Sequence, residues 1–202
     1  MRTTFALVMV NLVVFITQIL FYPFIDEILS LVPEQALSGA YWQFLSYMFL
    51  HSVTYPEHII LNMFLLLIFG FTIERALGVK RYLILYLVSG IGSAFFYMTV
   101  TGTMDVAMIG ASGAVFGVMA AYGFMFPKEV VWVYKIPIPV ILPIILLAVG
   151  EVLLWAFNLQ PDIANIGHFG GIITGIILMM IWKRRMKPKT LEELRDYQFF
   201  WE

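Results

Sequence analysis

A few polar side chains interrupt the long apolar runs of this sequence. His58, Asn62, Ser112, Glu151 and His168 stand out among them. Such groups are costly in an apolar environment and usually have a function there. A serine hydroxyl becomes a nucleophile when a neighbouring base removes its proton. We therefore interpret Ser112 as a candidate nucleophile and His168 as its candidate general base.

The sequence around Ser112 supports acyl-transfer chemistry. Gly110-Ala111-Ser112-Gly113 opens a short helical run after a glycine-bearing break. The first N–H groups of a helix lack intrahelical partners and carry a partial positive charge, which can stabilise an oxyanion. We expect His58 and Asn62 to donate further hydrogen bonds there. Irregular backbone inside a membrane must line protein or water, so a water-filled cavity is expected above Ser112.

The elements that carry these residues are apolar enough to span a membrane. Of the 202 residues, 61% are hydrophobic and 12% charged, whereas soluble domains average about 45–50% apolar residues. Five runs approach the roughly 20 residues of a spanning helix. They are 4–22, 57–73, 82–100, 138–157 and 163–182, and a sixth, 112–126, is shorter. The pattern predicts an all-α bundle of six membrane helices over 1–186, followed by a short cytoplasmic tail over 187–202.

Helix geometry gives the heights of the candidate residues. Ser112 lies about 21 Å above the end of its run, because a helix rises about 1.5 Å per residue. His168, fourteen residues before Trp182, also lies about 21 Å from its end, and His58, fifteen residues before Ile73, lies near the same level. The hydrocarbon core is about 30 Å thick. All three are therefore expected inside the membrane at one depth, although lateral proximity does not follow.

Charge separates along the same six-span topology. All twelve basic residues fall on one side, whereas the opposite loops carry only acids. The positive-inside rule then places both termini in the cytoplasm. The aromatic break 23–56 is expected at the membrane interface. The sequence predicts a multi-pass protein, and we expect a bacterial plasma membrane.

Glycine pairs indicate where helices approach each other. Gly113 and Gly117 share a face of the Ser112 helix, and Gly171 and Gly175 share the His168 face of the last helix. Small residues at this spacing let helix backbones come close. A hydrogen bond between side chains of two helices needs such proximity.

Glu151 is the ionisable residue whose role the sequence leaves open. It lies in the middle of the fifth run, where a structural or gating role is favoured over catalysis. No carboxylate is obviously placed to orient His168, so a dyad is expected rather than a triad. No metal or organic cofactor is expected, because the three histidines lack closely set carboxylates and the chain has no cysteine.

These motifs resemble those of the rhomboid family of intramembrane serine proteases. The Gly-x-Ser-Gly motif appears at Gly110–Gly113, the histidine and glycine motif at His168–Gly171 with Gly175, and the His-x-x-x-Asn pair at His58 and Asn62. The likeness covers roughly 5–183. It implies Ser112 as nucleophile, His168 as general base, and an oxyanion hole formed by His58, Asn62 and the Ser112 N–H.

The resemblance also implies a substrate class, and the sequence departs from the family at three points, one of which is a stretch from His51 to His58 that is longer than in some relatives. Expected substrates are transmembrane helices with small residues near the cut, met within the lipid bilayer; no nucleic acid partner is expected. Many members have Trp-Arg where this chain has Trp42-Gln43. Some place a tyrosine where Phe116 stands, and Phe116 can stack on His168 without donating a hydrogen bond.

Two other classes compete with the protease. A catalytically silent rhomboid-like scaffold would bind client helices, but it would be marked by loss of Ser112 or His168. A small transporter would show repeated halves and more intramembrane charge. The sequence identifies neither the physiological substrate and cleavage site nor the regulation or oligomeric state.

Overall fold

The part of the chain that the structure describes is mostly helical. The computed structural model describes residues 2–102, 104–133, 136–157, 159 and 165–183. The helices within these ranges are α1 Arg2–Leu20, α2 Phe24–Leu29, α3 Pro33–Leu37, α4 Gln43–Ser46, α5 Glu57–Leu77, α6 Val79–Thr101, α7 Ser112–Met125, α8 Ile141–Ala156 and α9 Asn165–Lys183. A short 3-10 turn, Tyr47–Phe49, follows α4.

Four of these helices are long and apolar enough to cross a membrane. They are α1, α5, α6 and α9, while α7 and α8 are shorter apolar helices. The prediction of a helical, multi-pass integral membrane protein is thereby confirmed, and the count of six spans stays a prediction. The predicted cytoplasmic tail over 187–202 lies outside the described residues.

Helices α6, α7 and α9 form the tightly packed centre, and small residues make their contacts. A Cβ on Gly171 would lie 2.1 Å from the carbonyl oxygen of Gly113, and one on Gly175 would lie 2.5 Å from that of Gly117. Because both pairs run in the same chain direction, α7 and α9 are parallel. A Cβ on Gly113 or Gly117 would also collide with a serine of α6.

Polar contacts anchor both ends of α1 to neighbouring parts of the chain. The carboxylate of Glu74, near the end of α5, accepts hydrogen bonds from the backbone N–H groups of Thr3 and Thr4 and from the Thr4 hydroxyl. These N–H groups belong to the first turn of α1, which has no intrahelical acceptors for them. At the other end, the Gln18 amide donates to the His51 carbonyl and accepts from the His51 N–H.

The segment between α1 and α5 folds into short helices that frame the site. Gln43 is buried, and its amide accepts from the Val32 N–H and donates to the Gln35 side chain. The neutral Gln43 side chain thus anchors this segment through two hydrogen bonds. Leu31 pairs with Met108 through two backbone hydrogen bonds, which tie the segment to the loop before α7.

A β-hairpin interrupts the helical architecture between α7 and α8. Strands β1 Val130–Val133 and β2 Ile136–Pro139 pair antiparallel, with Val130 opposite Pro139. The expected all-α fold has no strand here, and the apolar run 138–157 includes the end of β2, so the hairpin was not predicted. Its β-branched residues favour strands, whereas the prolines conceal the pattern because they cannot donate to a ladder.

Candidate active site

The site centres on a hydrogen bond between two parallel helices. Ser112 is the first residue of α7, and His168 lies in the first turn of α9. Ser112 Oγ lies 2.7 Å from His168 Nε2. Since Gly171 allows the α9 backbone to contact that of α7, the two side chains meet across a short gap. At this distance the imidazole can accept the hydroxyl proton as the oxygen attacks a carbonyl carbon.

A carboxylate completes a chain of three polar groups. Glu151 Oε2, from α8, lies 2.8 Å from His168 Nδ1. The expectation that no carboxylate is placed to orient His168 is therefore wrong. The His168 and Glu151 side chains are 14% and 13% exposed, so water reaches both groups only in part.

The position of Glu151 along its helix could have indicated this contact from the sequence, because it gives the height of the carboxylate in the bundle. Counted from Ile141, the start of α8, Glu151 lies about 15 Å along the helix. That is within one helical turn or so of the level estimated for His168. Height alone does not show which way a side chain faces, and α8 is apolar around its circumference.

An aromatic ring holds the imidazole from its face. Phe116 lies one turn beyond Ser112 on α7, and its ring stacks on that of His168 with centroids 5.0 Å apart and planes 9° apart. Phe116 itself is buried. The imidazole is thus contacted at both nitrogens and on one face, and each contact comes from a residue of α7 or α8.

Gly110 leaves open a small space beside the Ser112 hydroxyl. Its backbone has φ +127°, a region that side-chain-bearing residues rarely adopt. A Cβ at this position would lie 2.9 Å from His58 Nε2 and 3.5 Å from Ser112 Oγ. Both polar atoms therefore border the volume that the missing side chain leaves free. A substrate carbonyl oxygen placed there would face the His58 ring and the N-terminus of α7.

His58 presents its Nε2 to this space. The Ser52 N–H lies 3.4 Å from His58 Nδ1 and donates to it. In a neutral imidazole the other nitrogen then carries the hydrogen. Nε2–H is therefore a donor beside the Ser112 hydroxyl.

Asn62 lies one turn further along α5, and its amide nitrogen donates to the His58 carbonyl oxygen. Within the described residues no hydrogen bond joins Asn62 to Ser112. Ser112, His168 and His58 therefore form the closer group, and Asn62 is linked to it through the His58 carbonyl oxygen.

His51 packs behind the site outside the spanning helices. Its ring lies edge to face with that of His58, with centroids 5.1 Å apart. Burial, and then the electrostatic interaction with the neighbouring His58, lower the pKa of His51 from 6.5 to about 3. His51 is therefore neutral near pH 7. The described residues contain no cluster of three or more His, Asp or Glu side chains that could hold a metal ion.

Comparisons with known proteins find relatives that share one family name. A sequence profile described as "Rhomboid domain" matches residues 38–185. The chain is 29% identical over 204 residues to Rhomboid protease AarA of Providencia stuartii, an alignment that covers 89% of this chain and 72% of that protein. It is 29% identical over 153 residues to Rhomboid-type serine protease 2 of Emericella nidulans, with 76% of this chain and 29% of that protein covered.

Plant relatives are also similar. The chain is 30% identical over 157 residues to RHOMBOID-like protein 6, mitochondrial, of Arabidopsis thaliana, which covers 77% of this chain and 48% of that protein. It spans about half or less of the length of the Arabidopsis proteins that it matches. The relatives thus include bacterial and mitochondrial proteins, and some but not all of them are named as proteases.

Proposed function

The chain belongs to the rhomboid family, and from that premise we propose that it is a serine endopeptidase that cleaves transmembrane segments of membrane proteins with Ser112 and His168. The observation that supports this most directly is the 2.7 Å contact between Ser112 Oγ and His168 Nε2. This contact lies between two apolar helices, beside the space that Gly110 leaves open.

In the acylation step, Ser112 Oγ attacks the scissile carbonyl carbon while its proton passes to His168 Nε2. The carbonyl oxygen becomes an oxyanion, and we propose that His58 Nε2–H and the Ser112 N–H stabilise it. We assign Asn62 to the same group of donors through its second amide hydrogen. Collapse of the intermediate breaks the C–N bond, and the leaving amine takes the proton from Nε2.

In the deacylation step, water attacks the ester carbonyl while His168 Nε2 accepts its proton. Collapse releases the carboxylate product, and the proton returns to Ser112 Oγ. The substrates we propose are single transmembrane helices with small residues near the cut, because such helices unwind and fit beside Ser112 more readily than bulky ones. The chain is proposed to use six spans with both termini in the cytoplasm of a bacterial cell.

The alternative is a scaffold that binds client helices without cleaving them. Some relatives carry names that mention no protease activity, so family membership alone does not separate these two functions. The presence and contact of Ser112 and His168 favour the protease.

A fluorophosphonate probe tests the proposed nucleophile. The purified full chain, in vesicles, is expected to form a covalent adduct that mass spectrometry locates on Ser112. Ser112→Ala is expected to lose both the adduct and cleavage of a model single-span substrate, because the attacking oxygen is removed. His168→Ala is expected to slow both reactions by at least about 100-fold, the lower end of what a general base contributes.

The same assay separates the scaffold from the protease. A wild-type chain that binds the model substrate but neither reacts with the probe nor cleaves would establish the scaffold. Labelling that persists in Ser112→Ala would exclude Ser112 as the nucleophile.

A further inference from the structure

Glu151 is positioned to control the orientation of His168. Its carboxylate reaches Nδ1 at 2.8 Å, while the opposite nitrogen of the same ring faces Ser112 Oγ at 2.7 Å. Phe116 covers one face of the ring. The imidazole therefore has a fixed plane and a fixed rotation within that plane.

The contact also selects the tautomer that catalysis needs. A neutral imidazole has one N–H donor and one acceptor nitrogen. For the Ser112 hydroxyl to donate to Nε2, the ring hydrogen must be on Nδ1. An ionised carboxylate only accepts hydrogen bonds, so Glu151 stabilises the Nδ1–H form. When Nε2 takes the serine proton, the resulting imidazolium faces the carboxylate, and their attraction is strong in a site of low dielectric.

A structural role for Glu151 predicts different features. The helix α8 is packed loosely: Ile144 is its one buried residue among those described, and an apolar cavity of about 480 Å³ is lined by side chains of α7, α8 and α9. A contact that only holds α8 against α9 needs a hydrogen bond, which a neutral amide could also make. A carboxylate in an apolar helix carries a desolvation cost, and its negative charge is favourable where it faces a positively charged imidazolium.

We propose that Glu151 is a positioning residue that holds His168 in its reactive tautomer and stabilises the imidazolium formed during attack. The inference rests on the proposed function of Ser112 and His168. It extends the two-residue site to a Ser112–His168–Glu151 chain, in which each residue lies on a different helix.

The test compares Glu151→Gln and Glu151→Ala with wild type in vesicles. The fluorophosphonate labelling rate is measured, together with kcat and KM for a model single-span substrate. Glu151→Gln keeps the size and hydrogen-bonding capacity of the side chain but removes its charge. Leu146→Ala is the matched control on α8, because Leu146 is 71% exposed on the same helix. Thermal unfolding in detergent is measured for all four proteins.

Glu151→Ala is expected to lower kcat and the labelling rate by roughly 100-fold, since a small misplacement of a catalytic group can cost that much. Glu151→Gln is expected to lower both by a smaller factor, with a melting temperature like that of wild type. KM is expected to stay unchanged, because the proposed role of Glu151 is to position His168 and not to bind the substrate. Leu146→Ala is expected to match wild type in every measurement.

The outcomes distinguish this inference from the proposed function. Wild-type rates in both Glu151 variants, or a loss confined to KM, would overturn the positioning role while the Ser112 chemistry stands. Full activity of Glu151→Gln with reduced activity and stability of Glu151→Ala would reduce Glu151 to a tie between helices. A wild-type chain that neither labels nor cleaves would overturn the proposed function itself.

Discussion

At Gly110, the absence of a side chain leaves a space open beside the Ser112 hydroxyl. His58 Nε2 and Ser112 Oγ both border the position where a Cβ would stand. The Gly110 N–H donates to the Tyr47 carbonyl at 3.0 Å, so the backbone is held in this conformation from outside the site. The glycine thus serves two needs, a φ of +127° and an unfilled volume.

Gly110→Ala is expected to reduce substrate cleavage by about 100-fold or more, the effect of losing one oxyanion donor. The new methyl group would meet His58 Nε2 at 2.9 Å and occupy the space proposed for the substrate oxygen. Cleavage and fluorophosphonate labelling are measured together, because both reactions place an oxygen there.

Gly39→Ala is the matched control for Gly110→Ala. Gly39 has a similar φ of +131°, but nothing lies within 4 Å of its added Cβ. Both variants introduce backbone strain, because side-chain-bearing residues rarely adopt a positive φ, and only Gly110→Ala crowds the site. Equal activity losses in the two variants would show that strain, and not the filled space, is responsible.

Among the helices, α7 and α9 determine whether Ser112 and His168 can meet. Their backbones touch at Gly171 and Gly113 and again at Gly175 and Gly117. In lipid, helix association relies on close van der Waals packing because apolar surface gains little by leaving the solvent. The glycine faces therefore control the separation of the two reactive side chains as well as the stability of the bundle.

Gly171→Ala is expected to destabilise the protein by about 1–3 kcal/mol, as overpacked interiors do, and to abolish detectable labelling of Ser112. Its Cβ would lie 2.1 Å from the Gly113 carbonyl oxygen, which is backbone and cannot rotate away. The two helices must separate, which lengthens the Ser112–His168 contact. Thermal unfolding and the labelling rate in the same detergent give the two readouts.

Gly150→Ala on α8 is the control for this helix substitution. Nothing lies within 4 Å of its added Cβ, and alanine is the better helix former. Unchanged or raised stability is expected there. If Gly171→Ala retained wild-type stability and labelling, the α7–α9 contact would have to be looser than described.

At the scale of the whole molecule, the basic side chains that the structure describes lie toward one end of the bundle. The Glu74 contacts bring the start of α1 to the end of α5, and Lys183 lies 5.5 Å from the Phe124 ring, which brings the ends of α7 and α9 together. Arg2, Arg75, Lys80, Lys128 and Lys183 lie at these helix ends. Acidic residues such as Glu57 and Asp26 lie toward the opposite end.

Single-cysteine labelling tests the orientation that this division predicts. The chain has no cysteine, so no background reaction is expected. In intact bacterial cells, a membrane-impermeant maleimide is expected to label Glu57→Cys and not Lys80→Cys. Both positions are exposed. Lys80→Cys should react only after the cells are opened, and its labelling in intact cells would contradict the proposed cytoplasmic position of that end.

Much of this architecture could be predicted from the sequence because lipid imposes simple constraints. Apolar runs of sufficient length predicted α1, α5, α6 and α9 to within a few residues at each end. The constant rise of a helix also gave the height of each polar residue along its run. Glycine spacing indicated which faces approach closely, since only small residues permit backbone contact.

The β-hairpin and the Glu151 contact depended on tertiary structure. Height is a property of one helix, whereas lateral position and rotation depend on its neighbours. Glu151 and His168 are 17 residues apart, and Ser112 and His168 are 56 apart, so no local pattern encodes their meeting. The helix α8 is apolar on all sides, because it faces lipid and protein that are equally apolar, and hydropathy therefore could not indicate that its one carboxylate faces the histidine.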